Sequence, residues 1–190
     1  VSARYLHSTA SFVARFPARN LLPGFDGDDF FTLRNANVTD SYVVNSRTVN
    51  ELRLAYGHAS ALLLPQNGLS TSRFQISGLV NFGALESTPT NRIFNVYQVN
   101  DLLSHVSGSH ALKMGADIRK IQDDSLSALN SRGVFTFATL NGLLAGQPSN
   151  WTQRFGNTQR AFRTGLYGFF FQDDWKVTPT LSVNLGVRWD

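Results

Sequence analysis

The chain has 190 residues, enough for one sizeable domain, but only 16% of them are charged, against about 25% in an ordinary soluble protein. Its net charge is +4, and the cations are scattered along the chain rather than clustered, which argues against nucleic-acid binding. Cysteine is absent, which excludes disulfides and thiolate metal sites. The sequence also lacks a run of about 18 consecutive apolar residues, the length that would predict a membrane-spanning helix.

The N-terminal half contains short runs in which apolar and polar residues alternate, the pattern of strands with one apolar face. Residues 1–7 predict a short strand, and residues 8–33, with Pro17 and Pro23, predict a long loop. Alternation returns in 38–45 and 49–59, which are separated by a short turn near residue 46. A second long loop rich in Gly and Pro is predicted over 60–91.

The C-terminal half contains the strongest patterns. Strands are predicted over 92–106 and 110–121, on either side of a tight turn at residue 108. A third long connection, 122–161, holds a candidate short strand at 134–138 and one or two helical turns at 140–145. Two alternating runs then flank Pro179, which cannot donate to a strand ladder. Each has about the 9–11 residues that a tilted strand needs to cross a bilayer.

Long and short connections alternate along the chain, and this pattern decides between two all-β architectures. Soluble meanders have mostly short connections, whereas outer-membrane barrels have short periplasmic turns and long extracellular loops. We therefore predict an all-β fold, an antiparallel transmembrane β-barrel fragment of about seven strands, with periplasmic turns near residues 46, 108 and 179. The alternative is a soluble secreted all-β binding or adhesion module, in which the aromatic face forms a sandwich core.

Strand parity predicts which side chains face the barrel lumen, because an arginine facing lipid at mid-membrane costs about 2–4 kcal/mol. The lumen-facing candidates are Glu51, Arg53, Lys113, Asp117, Arg119, Gln172, Asp174, Asn184 and Arg188. Asp173 is expected at the rim. Amphipathic aromatic rings favour headgroup depth, and the membrane-interface candidates are Tyr167, Trp175 and Trp189.

Other chemistry is sparse. No catalytic or cofactor-binding motif is present, so we predict neither an enzyme nor a cofactor. The histidines have no metal-ligand spacing, although His105 and His110 flank a turn and could approach each other across it. The stretch from Asp26 to Asp29 offers oxygen ligands around a glycine but lacks the rest of a calcium-binding loop. We expect a solvated loop there, and whether it binds calcium stays open.

Five stretches carry a resemblance to one family. They read VNELRLAYGH at 49–58, NVYQVNDLLSHVSGSHALKMGADIRK at 95–120, GVFTFA at 133–138, LLAGQPS at 143–149 and YGFFFQDDWKVTPTLSVNLGVRWD at 167–190. In order and approximate spacing they are similar to the barrel of TonB-dependent outer-membrane receptors, particularly the Oar-like branch, whose members begin with a carboxypeptidase-regulatory-like domain. The last stretch is the most specific.

The resemblance implies energised uptake across the bacterial outer membrane. In this family a plug domain fills a barrel of about 22 strands, and the inner-membrane TonB complex pulls on an N-terminal segment. The substrates are scarce nutrients such as iron chelates, cobalamin or oligosaccharides. We therefore expect residues 1–190 to be a partial receptor barrel, embedded in outer-membrane lipid, that lacks the plug and N-terminal domain. TonB would act through the missing parts, and the nutrient is not identified.

Overall fold

The computed structural model describes residues 1–13 and 20–190 and shows a chain built almost entirely of strands. Among the residues that it describes, no helix has the length and apolar character needed to cross a membrane. The elements in chain order are β1 (Ser2–Phe12), β2 (Gly27–Asn45), β3 (Thr48–Pro65), a 3-10 turn (Gln66–Gly68), β4 (Arg73–Ile76), β5 (Asn81–Phe82), β6 (Thr90–Ser107), β7 (His110–Ser127), β8 (Val134–Phe137), α1 (Leu140–Leu144), β9 (Asn150–Thr152), β10 (Gln159–Thr178) and β11 (Leu181–Trp189).

Seven of these strands form one antiparallel sheet in the order β1-β2-β3-β6-β7-β10-β11, so each strand pairs with its neighbours along the chain. Two-residue turns join β2 to β3, β6 to β7 and β10 to β11 at one end of the sheet. The long connections 66–89 and 128–158 and the described residues 20–26 lie at the other end. The predicted all-β fold is thus confirmed, with its seven strands and alternating connection lengths. The sheet is open, since β1 and β11 each pair on one side only within the described residues.

The strands are longer than predicted. The expected loop over 8–33 is wrong at both ends, because β1 continues to Phe12 and β2 begins at Gly27, while Pro17 lies outside the described residues. Likewise β3 extends to Pro65 and β7 to Ser127, which shortens the other two loops. The reason is physical: toward the cap the two faces of a strand no longer differ in polarity, so alternation fades although backbone pairing continues. In β3 both faces are apolar there, at Leu62 and Leu63, and in β7 both are polar, at Asp123 and Asp124.

The register fixes which side chains share a face, because residues directly opposite each other on antiparallel strands project to the same side. Phe171 lies opposite Met114 and Val187, whereas the next residue, Gln172, lies opposite Lys113 and Gly186. We call the face that carries Phe171 the apolar face and the face that carries Gln172 the polar face. One row of the apolar face crosses five strands and consists of Val38, Leu54, Val99, Ile118 and Tyr167.

The second and third long connections fold into a small domain, which we call the cap (residues 66–89 and 128–158). Its four-stranded sheet has the order β5-β4-β8-β9, and β4 pairs with β8 in parallel, which joins the two connections. β8 and α1 confirm the short strand and helical turns predicted there. Among the described residues, the buried hydrophobic side chains are Ile76, Ala84, Leu85, Ala128, Val134 and Phe137. The core thus lies in the cap and where it joins the strands, and the large sheet has no second layer.

Candidate functional site: the polar face and the cap

The middle of the polar face carries a network of paired charges. Asp117 on β7 accepts hydrogen bonds at both carboxylate oxygens from Gln98 Nε2 on β6, each at 3.0 Å. Arg119 Nη2 lies 2.7 Å from the same carboxylate, and Arg53 forms an ion pair with Glu51 on β3. The network is only half-buried, so it forms a wetted wall rather than a core.

All nine lumen candidates share the polar face. Arg53 lies in one row with Asn100 and Asp117, and the remaining candidates occupy the rows on either side. Gln172 Nε2 donates to Asp174 Oδ1 at 3.0 Å. That this face borders the lumen stays a prediction. Sequence reasoning missed Gln98 and Asn100, because β6 also carries polar residues on its apolar face, which hides the alternation there.

The three predicted interface aromatics lie on the apolar face. Trp175 stands near a short turn and stacks on the His110 ring, with centroids 5.4 Å apart. Tyr167 and Trp189 lie toward the cap, where Trp189 stacks on Phe169 at 5.8 Å. Their role as membrane anchors stays a prediction, but their placement at the two ends of the apolar band agrees with it.

Further tyrosines, which the sequence reasoning did not single out, continue this arrangement. One row of the apolar face contains Tyr5 and Tyr56, which lie on either side of Ala36. The next residue in this row is Tyr97, opposite Tyr56, and the centroids of these two rings are 5.2 Å apart. On β7 the row contains Lys120, the first cation on this face beyond the apolar residues of that strand, and on β10 it continues to Gly165. The aromatic row and the cation mark the cap-side boundary of the apolar band.

The two histidines beside the second turn bond to different strands and not to each other. His105 Nδ1 lies 2.8 Å from Thr48 Oγ1, and His110 Nδ1 lies 2.7 Å from Asp173 Oδ2. Asp173, expected at the rim, therefore lies on the apolar face with a histidine partner. Among the described residues no three His, Asp or Glu side chains are placed to hold one metal ion.

The stretch from Asp26 to Asp29 is not the solvated loop that was expected. β2 begins at Gly27, and Asp26 and Asp29 are each only 5% exposed. Asp26 Oδ1 accepts a hydrogen bond from the Gly27 amide at 2.8 Å, and the Asp26 carbonyl accepts one from the Gln66 amide at 2.8 Å. This segment thus ties the start of β2 to the start of the cap.

A half-buried arginine, Arg132, links the two connections of the cap. Arg132 Nη2 donates to the Leu85 carbonyl at 3.2 Å, to Thr88 Oγ1 at 2.7 Å and to the Thr88 carbonyl. Thr88 is completely buried, and burial also lowers the pKa of Arg132. Ser72 Oγ donates back to the Arg132 carbonyl at 2.7 Å. These bonds fasten connection 128–158 to connection 66–89.

A row of aromatic rings, which we call the aromatic ladder, crosses the cap sheet. Each of the four strands contributes one ring in register, and the ladder consists of Phe25, Phe82, Phe74, Phe135, Trp151 and Phe155. Successive centroids are 6.4, 5.0, 5.6, 6.3 and 6.4 Å apart. The interior rings are half-buried, while Trp151 is 50% and Phe155 75% exposed. Sequence reasoning missed the ladder because it did not predict β4, β5 or β9.

An open groove of about 490 Å³ runs along the polar face next to the cap. Its lining includes Phe31, Ala59, Ala61 and Phe94, together with Arg92, whose Nη2 lies 2.6 Å from Asp123 Oδ2. The polar face therefore has two zones, a charged one in the middle of the sheet and an apolar one beside the cap.

Comparison with known proteins adds one match. A family model described as an outer membrane beta barrel domain matches residues 1–190, the whole chain. No curated protein and no solved structure matches.

Proposed function

The chain belongs to the outer membrane β-barrel domain family and is therefore an outer-membrane barrel protein, and from this premise we propose that its parent is a TonB-dependent receptor of the Oar-like branch. The parent would bind a scarce nutrient outside the cell and take it up with energy from the TonB complex. Candidate nutrients are an iron chelate, cobalamin or an oligosaccharide. The complex would act through parts of the parent outside residues 1–190.

The observation that carries the proposal is the combination of a wetted, charged wall with a folded cap. In a small barrel, the wall's own side chains fill the interior. Here several polar-face positions are glycine or alanine, and two pairs of charged side chains among them, Glu51 with Arg53 and Asp117 with Arg119, pair within the wall. This favours a wide barrel whose interior holds water or a plug. The five family-like sequence stretches point to the plugged, TonB-coupled kind.

A folded cap at the extracellular end also favours ligand capture. The short turns would lie in the periplasm and the cap outside, as in other barrels of the outer membrane. Because the Arg132 bonds hold the cap in one shape, a ligand would meet a preorganised surface and lose little free energy in ordering it. We propose binding and transport rather than catalysis for this surface.

The alternative, a soluble secreted binding or adhesion module, needs a second layer over the apolar face. In the described part of the chain no sheet packs there, and Leu54 and Phe169 are 44% and 45% exposed. So large an exposed apolar surface marks a membrane or protein contact and not the exterior of a soluble domain. Lipid is the environment that suits it.

Uptake by the source bacterium tests the proposal. Strains lacking the parent gene, lacking TonB, or intact would be supplied with a labelled iron chelate, cobalamin or oligosaccharide at limiting concentration. We expect uptake of one nutrient to fall in both mutants and to recover when the parent gene is restored. Uptake that depends on the parent gene but not on TonB would instead indicate a passive pore. Equal uptake in all strains for every nutrient would also contradict the proposal.

A further inference from the structure

We propose that Trp151 and Phe155, at the free end of the aromatic ladder, form a surface site for a neutral oligosaccharide. The inference deepens the proposed function, on which it rests, because it selects one of the candidate nutrient classes. It depends on three features of the cap: an exposed pair of rings, a rigid support behind them, and the chemistry of the side chains around them.

The rings of Trp151 and Phe155, which we call the corner, are open to solvent. Trp151 is 50% and Phe155 75% exposed, and their planes meet at 67° with centroids 6.4 Å apart. Inside the ladder, Phe74 is stacked between Phe82 and Phe135, so those ring faces are covered. Free ring faces are therefore found where the stacking ends. The negative face of an aromatic ring attracts weakly positive C–H groups, such as those on the flat side of a pyranose.

The support behind the corner is rigid. Trp151 contacts Phe135 at 6.3 Å between centroids and belongs to β9, which pairs with β8. Its indole Nε1 lies so close to Gly133 that a methyl group there would approach it to 3.1 Å. Gln153, on the same segment, donates from Nε2 to the Ser131 carbonyl at 3.1 Å. A ring that is fixed before binding loses little rotamer freedom when a ligand stacks on it.

The polar groups nearby are suited to a neutral ligand. Residues 128–158 contain no aspartate or glutamate, and their only cations are Arg132, which is used inside the cap, and Arg154. The next cation, Arg160, is engaged by the backbone, since its Nη1 donates to the carbonyls of Asn157 at 2.8 Å and Gln159 at 2.7 Å, so the cations near the rings do not form a cluster. The exposed neighbours of the corner include Asn150, Thr152 and Asn157. Amides and hydroxyls donate and accept, as sugar hydroxyls do, whereas an anionic iron chelate requires a cluster of cations. Charge complementarity thus favours the oligosaccharide.

Position in the fold excludes two simpler explanations for the exposed rings. They are not anchors in the membrane interface, since they belong to the cap, beyond the row of tyrosines and Lys120. They do not owe their exposure to the open edges of the large sheet, because the connection that carries them joins β7 to β10, away from β1 and β11, although β9 is itself an edge strand of the cap sheet. A surface role toward the outside medium remains.

Titration calorimetry on the purified full-length parent in detergent tests the site. The probes are maltohexaose, cellohexaose and xylohexaose, with ferric citrate and cyanocobalamin for comparison. We expect at least one hexaose to bind, and Trp151→Ala to weaken it at least about tenfold, the effect of losing 1.4 kcal/mol of stacking. Phe155→Ala should weaken it less, and Trp151→Phe should retain part of the affinity. Trp175→Ala, at a tryptophan of the apolar face, is the matched control and should leave the Kd unchanged.

Three outcomes would overturn the site: no hexaose binds, Trp151→Ala and Trp175→Ala bind equally well, or the iron chelate rather than a sugar depends on Trp151. Heat-modifiable migration in electrophoresis verifies that each variant is folded. Uptake measured in the same strains separates the two proposals. Sugar binding without TonB-dependent uptake contradicts the transport function and leaves the site intact. TonB-dependent uptake of another nutrient, unchanged by Trp151→Ala, contradicts the site alone.

Discussion

At the scale of single residues, Gly115 on β7 allows a close approach on the polar face. The Phe170 ring from β10 lies over it, and a methyl group at Gly115 would come within 2.5 Å of Phe170 Cε1 and 2.7 Å of the Asp101 carbonyl oxygen. Gly186 on β11 occupies the same face but has room, with its nearest neighbour, the Phe171 carbonyl oxygen, at 3.4 Å. Of these two glycines on one face, close neighbours therefore require a glycine at Gly115 and not at Gly186.

This contrast gives a prediction for alanine substitution. Gly115→Ala should destabilise the assembled parent by about 1–3 kcal/mol, because a backbone carbonyl and a packed ring must both move. Gly186→Ala should be neutral or stabilise it by about 0.4–1 kcal/mol, since alanine restricts the unfolded chain more than glycine does. Guanidinium unfolding of the parent in lipid vesicles measures both. Equal midpoints for the two variants would show that Phe170 does not pack on Gly115 in the membrane.

At the scale of elements, the cap depends on bonds between connections that are far apart in sequence. Arg132→Met should remove the hydrogen bonds to Leu85 and Thr88 and leave the buried Thr88 carbonyl without this donor, a loss of about 1.5–3 kcal/mol within the cap. The Thr88 hydroxyl would keep its own bond to the Leu85 carbonyl, at 2.7 Å. Amide hydrogen exchange should then rise across 85–88 and 128–133, while the strands stay protected. Arg154→Met, at an exposed arginine of the same connection, is the control. Faster exchange throughout the large sheet would contradict an independent cap.

The elements also show how far the sequence alone determines the fold. Period-two alternation located the strand centres, and the Pro179 and Gly108 turns fixed the hairpins, since each is a local signal. The strand ends at Phe12 and Ser127 were missed, because outside the apolar band no face is distinct from the other. β4, β5 and β9 were missed as well. They are too short to show a period, and they form only by pairing with strands from elsewhere in the chain.

The candidate-site residues also fall into two groups, those that a local sequence pattern predicts and those that only long-range pairing brings together. Glu51, Arg53 and the other charged positions were assigned to one face by parity, and the register places them together. The aromatic ladder escaped prediction because Phe74 and Phe135 meet through a parallel pairing of two separate connections, which no local pattern encodes. The buried state of Asp26 likewise depends on contact with Gln66, far away in sequence.

At the scale of the whole molecule, the remaining question is which face of the sheet contacts lipid, and neighbouring residues on β10 can answer it. Phe171 projects from the apolar face beside Met114, and Gln172 from the polar face beside Lys113. Phe171→Arg should destabilise the assembled parent by about 2–4 kcal/mol if it lies near mid-membrane, whereas Gln172→Arg should meet water and cost little.

The measurement is the fraction of each variant that folds into vesicles, read from heat-modifiable mobility, followed by chemical unfolding of the folded fraction. The two positions are adjacent on one strand, so we expect both substitutions to affect formation of the hairpin equally. The comparison therefore reports the environment of each side chain. Equal yields and equal unfolding midpoints would contradict the facing assigned to the sheet. The reverse order would place lipid on the charged side, where the Asp117–Arg119 pair would have to be transferred out of water at several kcal/mol per ion. We therefore expect the apolar face, with its band of tyrosines and tryptophans, to be the one in lipid.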